Sequence, residues 1–172
     1  KIDENGNEEW NHTYGNGSDD IGQSVVRTYD GGYMIRYAIK SYGSGNTAIG
    51  LLRLGQGRNE IWTRTIGGST GIPGKSLQKT SEDEYVTSCS LFDNGNNSYD
   101  AYIIKINDSG DIIWDANFGG TEDDKARSLV QTFDGGYAIT GGTKNYGNGT
   151  KLDSDVWLVK TDSIGFSRNF EE

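Results

Sequence analysis

The sequence predicts an all-β protein built from a repeated unit of roughly 52 residues, and three observations carry that prediction. The first is composition. The chain holds 26 Gly, 10 Tyr and 4 Trp beside a single Pro and a single Met, and Gly-rich turns between aromatic and β-branched segments are what strands require. No long amphipathic helical pattern is visible, and no apolar run is long enough to span a bilayer as a helix. The second observation is recurrence at a fixed step. The third is that one segment of each unit is apolar at nearly every position instead of alternating, as in a strand covered on both faces.

The recurrence shows first in the stretch "RTYDGGYMI", Arg27 to Ile35, which returns as "QTFDGGYAI", Gln131 to Ile139, 104 residues later. Halfway between, Lys79 to Thr87 reads "KTSEDEYVT", a worn copy. Trp10, Trp62 and Trp114 stand 52 apart, as do Tyr33, Tyr85 and Tyr137, Ser24, Ser76 and Ser128, and Gly15, Gly67 and Gly119. Arg53 and Lys105 keep the step, and Lys160 follows 55 later, which places about three extra residues in "NYGNGTKLDSD".

Each unit reads as four short strands. In the last copy the first strand is "ARSLVQTF" and the turn after it is "DGG", where Asp supplies a local hydrogen bond and Gly a positive φ. The second strand is "YAITGGT". The third is "DVWLVK", matched by "AYIIKI", and these are the apolar segments. The fourth strands of the other copies are "NEIWTRTIGG" and "DIIWDANFGG". Four antiparallel strands per unit, with sheets buried on both faces, describe a β-propeller-type blade. A β-solenoid has shorter coils, and a two-sheet sandwich has no reason for such a period.

The expected organisation is a single repeat domain over 1–172: an orphan N-terminal strand and turn in 1–18, with the strand roughly Asn7 to Tyr14, then repeats at 19–70, 71–122 and 123–172. The last fourth strand, "GFSRNF", is weak, with Asn169 where the repeat wants Trp. The chain opens at Lys1 without Met or leader, so removal of an upstream segment is expected. Three blades do not close a ring. Their open ends call for further blades of a longer parent chain, for a homo-oligomer such as two copies in a six-bladed ring, or for a head-to-tail filament in which the orphan strand completes a neighbour's sheet.

The run "WDANFGGTEDDKARSLVQTFDGGYAITGGTKNYGNG" with "DVWLVKTDSIG" resembles a repeat common in large secreted proteins of archaea and bacteria, usually described as β-propeller-like. "WNHTYGNGSDDIGQSVVRTYDGGYMI" matches it too, while the middle copy departs at "SEDEYV" and "STGIPGKS". The resemblance spans essentially the whole chain. It implies the fold and an extracellular or cell-surface location; it implies no activity, since such propellers serve many roles.

The net charge of −9 repels nucleic acid and anionic membrane surfaces, so neither is expected as a partner. Cys89, the single cysteine, excludes an internal disulfide. No catalytic constellation is present: His12 has no counterpart in the other repeats, and no metal-ligand spacing, phosphate loop or serine elbow occurs. The chain is expected to be no enzyme and to carry no cofactor. Asp19 and Asp20, with their counterparts Asp123 and Asp124, are weak calcium candidates whose spacing does not fit an EF-hand loop; solvated, strand-capping carboxylates are the plainer reading. "DENGNEE" reads as a hairpin turn. The sequon Asn-x-Ser/Thr occurs at Asn11, Asn16, Asn96, Asn107 and Asn148, which points to glycans on the exterior, although Asn- and Ser-rich loops also generate sequons freely. Tyr42 and Tyr146, 104 apart, are structural candidates first and sugar-stacking candidates second. The expected function is a non-enzymatic extracellular structural or adhesion module that self-assembles or belongs to a larger surface protein. The alternatives are a lectin-like propeller binding a carbohydrate or other ligand, and the non-catalytic part of a secreted enzyme.

Overall fold

A computed structural model describes residues 1–15, 19–42, 46–66, 74, 76–147 and 153–167. Among these residues there are eleven strands and no helix. They form three antiparallel sheets whose order follows the chain. The first sheet is β1 (Asp20–Arg27), β2 (Tyr33–Tyr42), β3 (Asn46–Leu54) and β4 (Glu60–Ile66). The second is β5 (Leu77–Lys79), β6 (Tyr85–Asp93), β7 (Ser98–Ile106) and β8 (Ile112–Phe118). The third holds β9 (Asp124–Gln131), β10 (Tyr137–Thr143) and β11 (Asp155–Thr161). Of the fourth strand expected at "GFSRNF", 165–167 are described and form no strand, and 168–170 lie outside the described residues.

Two kinds of turn recur with the repeat. Between first and second strands, Thr28 N donates to Gly32 O (3.1 Å), Thr80 N to Glu84 O (2.8 Å) and Thr132 N to Gly136 O (2.8 Å). The positive φ falls on Gly31 (83°), Asp83 (61°) and Gly135 (79°). The worn middle copy thus keeps the turn, with Asp in a conformation that Asp tolerates better than most side chains. The second glycine of "DGG" answers a different need: a Cβ on Gly32 would strike the Leu54 carbonyl oxygen, and one on Gly136 that of Thr161. Between third and fourth strands, Gly55 N donates to Asn59 O (3.0 Å), Asn107 N to Asp111 O (3.0 Å) and Asp162 N to Phe166 O (2.9 Å).

The N-terminal segment carries the same second turn, with Asp3 N donating to Asn7 O at 2.9 Å. The strand expected over Asn7 to Tyr14 does not form, however. Only an isolated bridge joins Ile2 to Glu8. Among the described residues no strand edge pairs with this segment. It is held instead by rings: Trp10 meets Tyr33 edge-on at 6.0 Å and lies under the Arg58 guanidinium at 5.3 Å.

The core lies between sheets. In one cluster Met34, Ile49 and Leu51 of the first sheet meet Leu77, Tyr85, Cys89, Ile104 and Ile106 of the second. In the other, Val86, Ala101 and Ile103 of the second sheet meet Leu129, Tyr137, Ile139 and Val159 of the third. Subtracting the repeat step, with the three-residue insertion counted for Val159, takes Val86, Ala101, Ile103, Leu129, Tyr137 and Val159 to Met34, Ile49, Leu51, Leu77, Tyr85 and Ile104, while Cys89 and Ile106 in the first cluster and Ile139 in the second have no apolar counterpart in the other. Strand alternation explains this: one side of every strand faces the preceding sheet and the other the following sheet. The expectation of burial on both faces therefore holds for β7, where every residue is at least half-buried. It fails for β11, where Val156 is 90% and Leu158 70% exposed, because no sheet among the described residues covers that side.

Candidate functional site

Polar links repeat across both junctions. Ser24 Oγ donates to Leu77 O (3.5 Å), and Ser76 Oγ to Leu129 O (3.3 Å). Trp62 Nε1 donates to Asp108 O (2.9 Å), and the ring packs over Gly110. Trp114 packs over Gly165 in the same way. The basic residue next to the end of each third strand reaches back to the first turn: Arg53 pairs with Asp30 (2.9 Å), Lys105 with Glu84 (2.6 Å) and Lys160 with Asp134 (2.8 Å). In the middle unit Glu82 keeps the first turn position, 3.7 Å from Lys105, and Glu84 at the third position is the closer partner. Arg53 also crosses to Asp108 (2.9 Å). Hydrogen bonds from Thr28 and Gly32, then Arg53, hold Asp30 down to about 2. Lys160, with Thr132 and Gly136, holds Asp134 well below the carboxylate range.

Two buried groups escaped the sequence reading. Arg36 is fully buried, donates to Ser88 O across the first junction (3.4 Å) and touches Gln23 Oε1; burial lowers it to about 10. Asp100 is buried opposite Asp124, both against Gly119, where a Cβ would strike Asp100 Oδ1. Burial first, then Asp93 and Asp124, raise the Asp100 carboxyl above its ordinary value.

The candidates named from sequence do not gather into one site. Asp123 Oδ2 holds Lys125 (2.8 Å) and its Oδ1 accepts from Tyr99 N (3.1 Å). Asp124 Oδ2 accepts from Gly120 N (2.9 Å) and Asn145 Nδ2 (2.7 Å). Both accept from backbone amides, but Asp124 is fully buried, so it is not the solvated carboxylate of the plainer reading. Asp20 opens β1 and Asp19 precedes it, exposed. Among the described residues no group of three or more acidic, histidine or cysteine side chains is placed to hold a metal ion. Asn11 and Asn96 are exposed. Asn107 works inside its turn, its Oδ1 accepting from Asp111 N (2.9 Å), as Asp3 Oδ1 accepts from Asn7 N and Asp162 Oδ1 from Phe166 N, each at 2.9 Å. Asn16, Asn148 and the ring of Tyr42 lie outside the described residues. Tyr146, 54% exposed, stacks on Trp157 at 5.7 Å and donates to Gly119 O (3.0 Å). His12 lies against Tyr14, 4.7 Å between ring centres.

What the structure adds is a cleft of about 310 Å³ on the first sheet, on the side away from the second. Ile35, Tyr37 and Leu52 line it together with the carboxylates of Asp20 and Glu60, and Tyr14 and Thr63 also border it. Ile35, Tyr37 and Leu52 are the first-sheet counterparts of Thr87, Cys89 and Ile104, which face into the first junction. Aligning the repeats by residue and asking which copies lack a neighbour would have found it. No protein-family model and no curated protein matches this chain. Among the described residues no helix is long and apolar enough to cross a membrane.

Proposed function

We propose that the chain is a non-enzymatic structural or adhesion module of an extracellular or cell-surface protein. In this reading its sheets are propeller-type blades that work through contact with further blades. The supporting observation is the pair of open end faces: the cleft beside Leu52 at one end, and the exposed Val156 and Leu158 at the other. Val156 and Leu158 at one end, and Val25 beside the cleft at the other, display side-chain positions that the internal junctions bury, whereas Leu52 at the cleft floor is only 5% exposed. Apolar surface of this kind marks a contact site. The polar groups described above serve turns and junctions, consistent with a module that makes contacts and performs no chemistry. The surface location rests on the sequence resemblance and the sequons.

The test is native mass by light scattering, with electron microscopy of any large species and a glycan array on the same sample. Association without glycan binding supports this reading. A monomer that binds one glycan class at micromolar concentration overturns it in favour of the lectin-like alternative, for which the exposed Tyr146 stacked on Trp157 speaks.

A further inference from the structure

The two internal junctions are copies, so they specify a third. Ile49 and Leu51 of β3 are buried against the second sheet, and Ala101 and Ile103 of β7 against the third. One step further on, counting the three-residue insertion, stand Val156 and Leu158, exposed. On the receiving side, Leu77 and Leu129 are 3% and 1% exposed, whereas Val25, one step before them, is 59% exposed. Leu52, one step before Ile104, lies at the floor of the open cleft and is only 5% exposed.

We propose that the outer face of the third sheet docks on the cleft face of the first sheet of a second copy, head to tail, with Leu158 entering the cleft. The contact continues the two existing junctions. Leu158 occupies the place of Leu51 and Ile103, and the cleft is floored by the counterparts of the residues those two meet. The serine link extends in step. Ser24 and Ser76 each donate to a carbonyl of the next sheet; the exposed Ser128 is left to reach Val25 O of the second copy. The Arg53–Asp108 pair is found at the first junction only, since Lys105 turns to Glu82 and Glu84 of its own unit; in the proposed contact Lys160 faces Gln56, the residue one step before Asp108. Because the two surfaces differ, the interface is heterologous, and it builds a ring if the rotation closes and a filament if it does not.

This proposal rests on the structural-module reading, and one experiment separates the two. Leu158→Arg blocks one face and Val25→Arg the other. Both side chains are exposed, and circular dichroism checks that the variants fold; Val156→Asp replaces Leu158→Arg if the latter does not. Wild type is expected to associate with rising concentration, and each variant alone to lose at least tenfold in association. An equimolar mixture is expected to give a dimer of twice 18.8 kDa and nothing larger, since one open face of each kind remains. Dimers of either variant alone would overturn the head-to-tail contact. A monomeric wild type that binds no glycan would overturn the second copy as partner and leave the structural reading to blades of a longer chain. A monomer that binds glycan would overturn both.

Discussion

Two carboxylates show how opposite environments act at the scale of single residues. Asp30 accepts from Thr28, Gly32 and Arg53, which hold it at about 2 against an ordinary 3.8. Its contribution is present above its unfolded value and is lost as pH falls from about 3.8 through about 2. Asp30 is half exposed, so solvent screening keeps that contribution small. Asp100 runs the other way. Burial and the neighbouring Asp93 and Asp124 raise it, so ionising it penalises the folded state, and the penalty grows as pH rises above the unfolded value near 3.8. Asp100→Asn is therefore expected to raise the melting temperature at pH 7, with a gain that vanishes towards pH 3; thermal scans across that range check it. A gain independent of pH would assign the effect to packing. The "DGG" turn was legible in the sequence because its chemistry is local. Asp100 was not, because Asp124 and Gly119 meet it only after the chain has turned back through β8.

At the scale of the element, the register pairs large with small. Tyr37 stands opposite Gly50, Cys89 opposite Tyr102, and Gly141 opposite Trp157. Each pair is the same repeat position, and directly paired residues share a face of the sheet. One aromatic ring per sheet fills the space, on the second strand in the first unit and on the third strand in the other two. A Cβ on Gly50 would strike the Tyr37 ring. Gly50→Tyr alone is therefore expected to cost about 3 kcal/mol through overpacking, and Tyr37→Cys alone about 1–2 kcal/mol, because Tyr37 is only partly buried and borders the open cleft. The double variant, which writes the middle unit's pair into the first sheet, is expected to recover most of either loss. Urea unfolding of the three variants forms a double-mutant cycle, and strict additivity would show that the pair does not share one space. Period and strand order were readable from sequence, since they repeat in residue type. This exchange was hidden, since it conserves the summed volume of a pair while changing both members. Equally hidden was the one-sided burial of β11, whose apolar pattern matches that of β7 while its neighbourhood differs.

For the whole molecule, the N-terminal segment is where sequence and structure part most clearly. The repeat alignment places Asn7 to Tyr14 in the role of β4 and β8, yet a strand forms only where another offers an edge. The segment keeps the rest of that role: Trp10 packs on Arg58 and Tyr33 as Trp62 packs on Gly110 and Trp114 on Gly165 and Tyr137. Tyr14 Oη donates to Arg58 O (2.9 Å), and its ring borders the cleft. Neither inter-sheet cluster includes a residue from this segment. Deleting residues 1–14 is therefore expected to leave three stacked sheets, with a loss of about 1–2 kcal/mol from the ring and guanidinium contacts. The cleft would lose the wall that Tyr14 provides, so the shortened chain is expected to associate at least tenfold more weakly than the full chain. Its Leu158 face would remain intact, and it would still cap the cleft of a full-length copy in a mixture. Light scattering of the shortened chain, alone and mixed with wild type, reads both effects. If the shortened chain associates as wild type does, the segment has no part in the seat, and the cleft floor formed by Ile35, Tyr37 and Leu52 suffices.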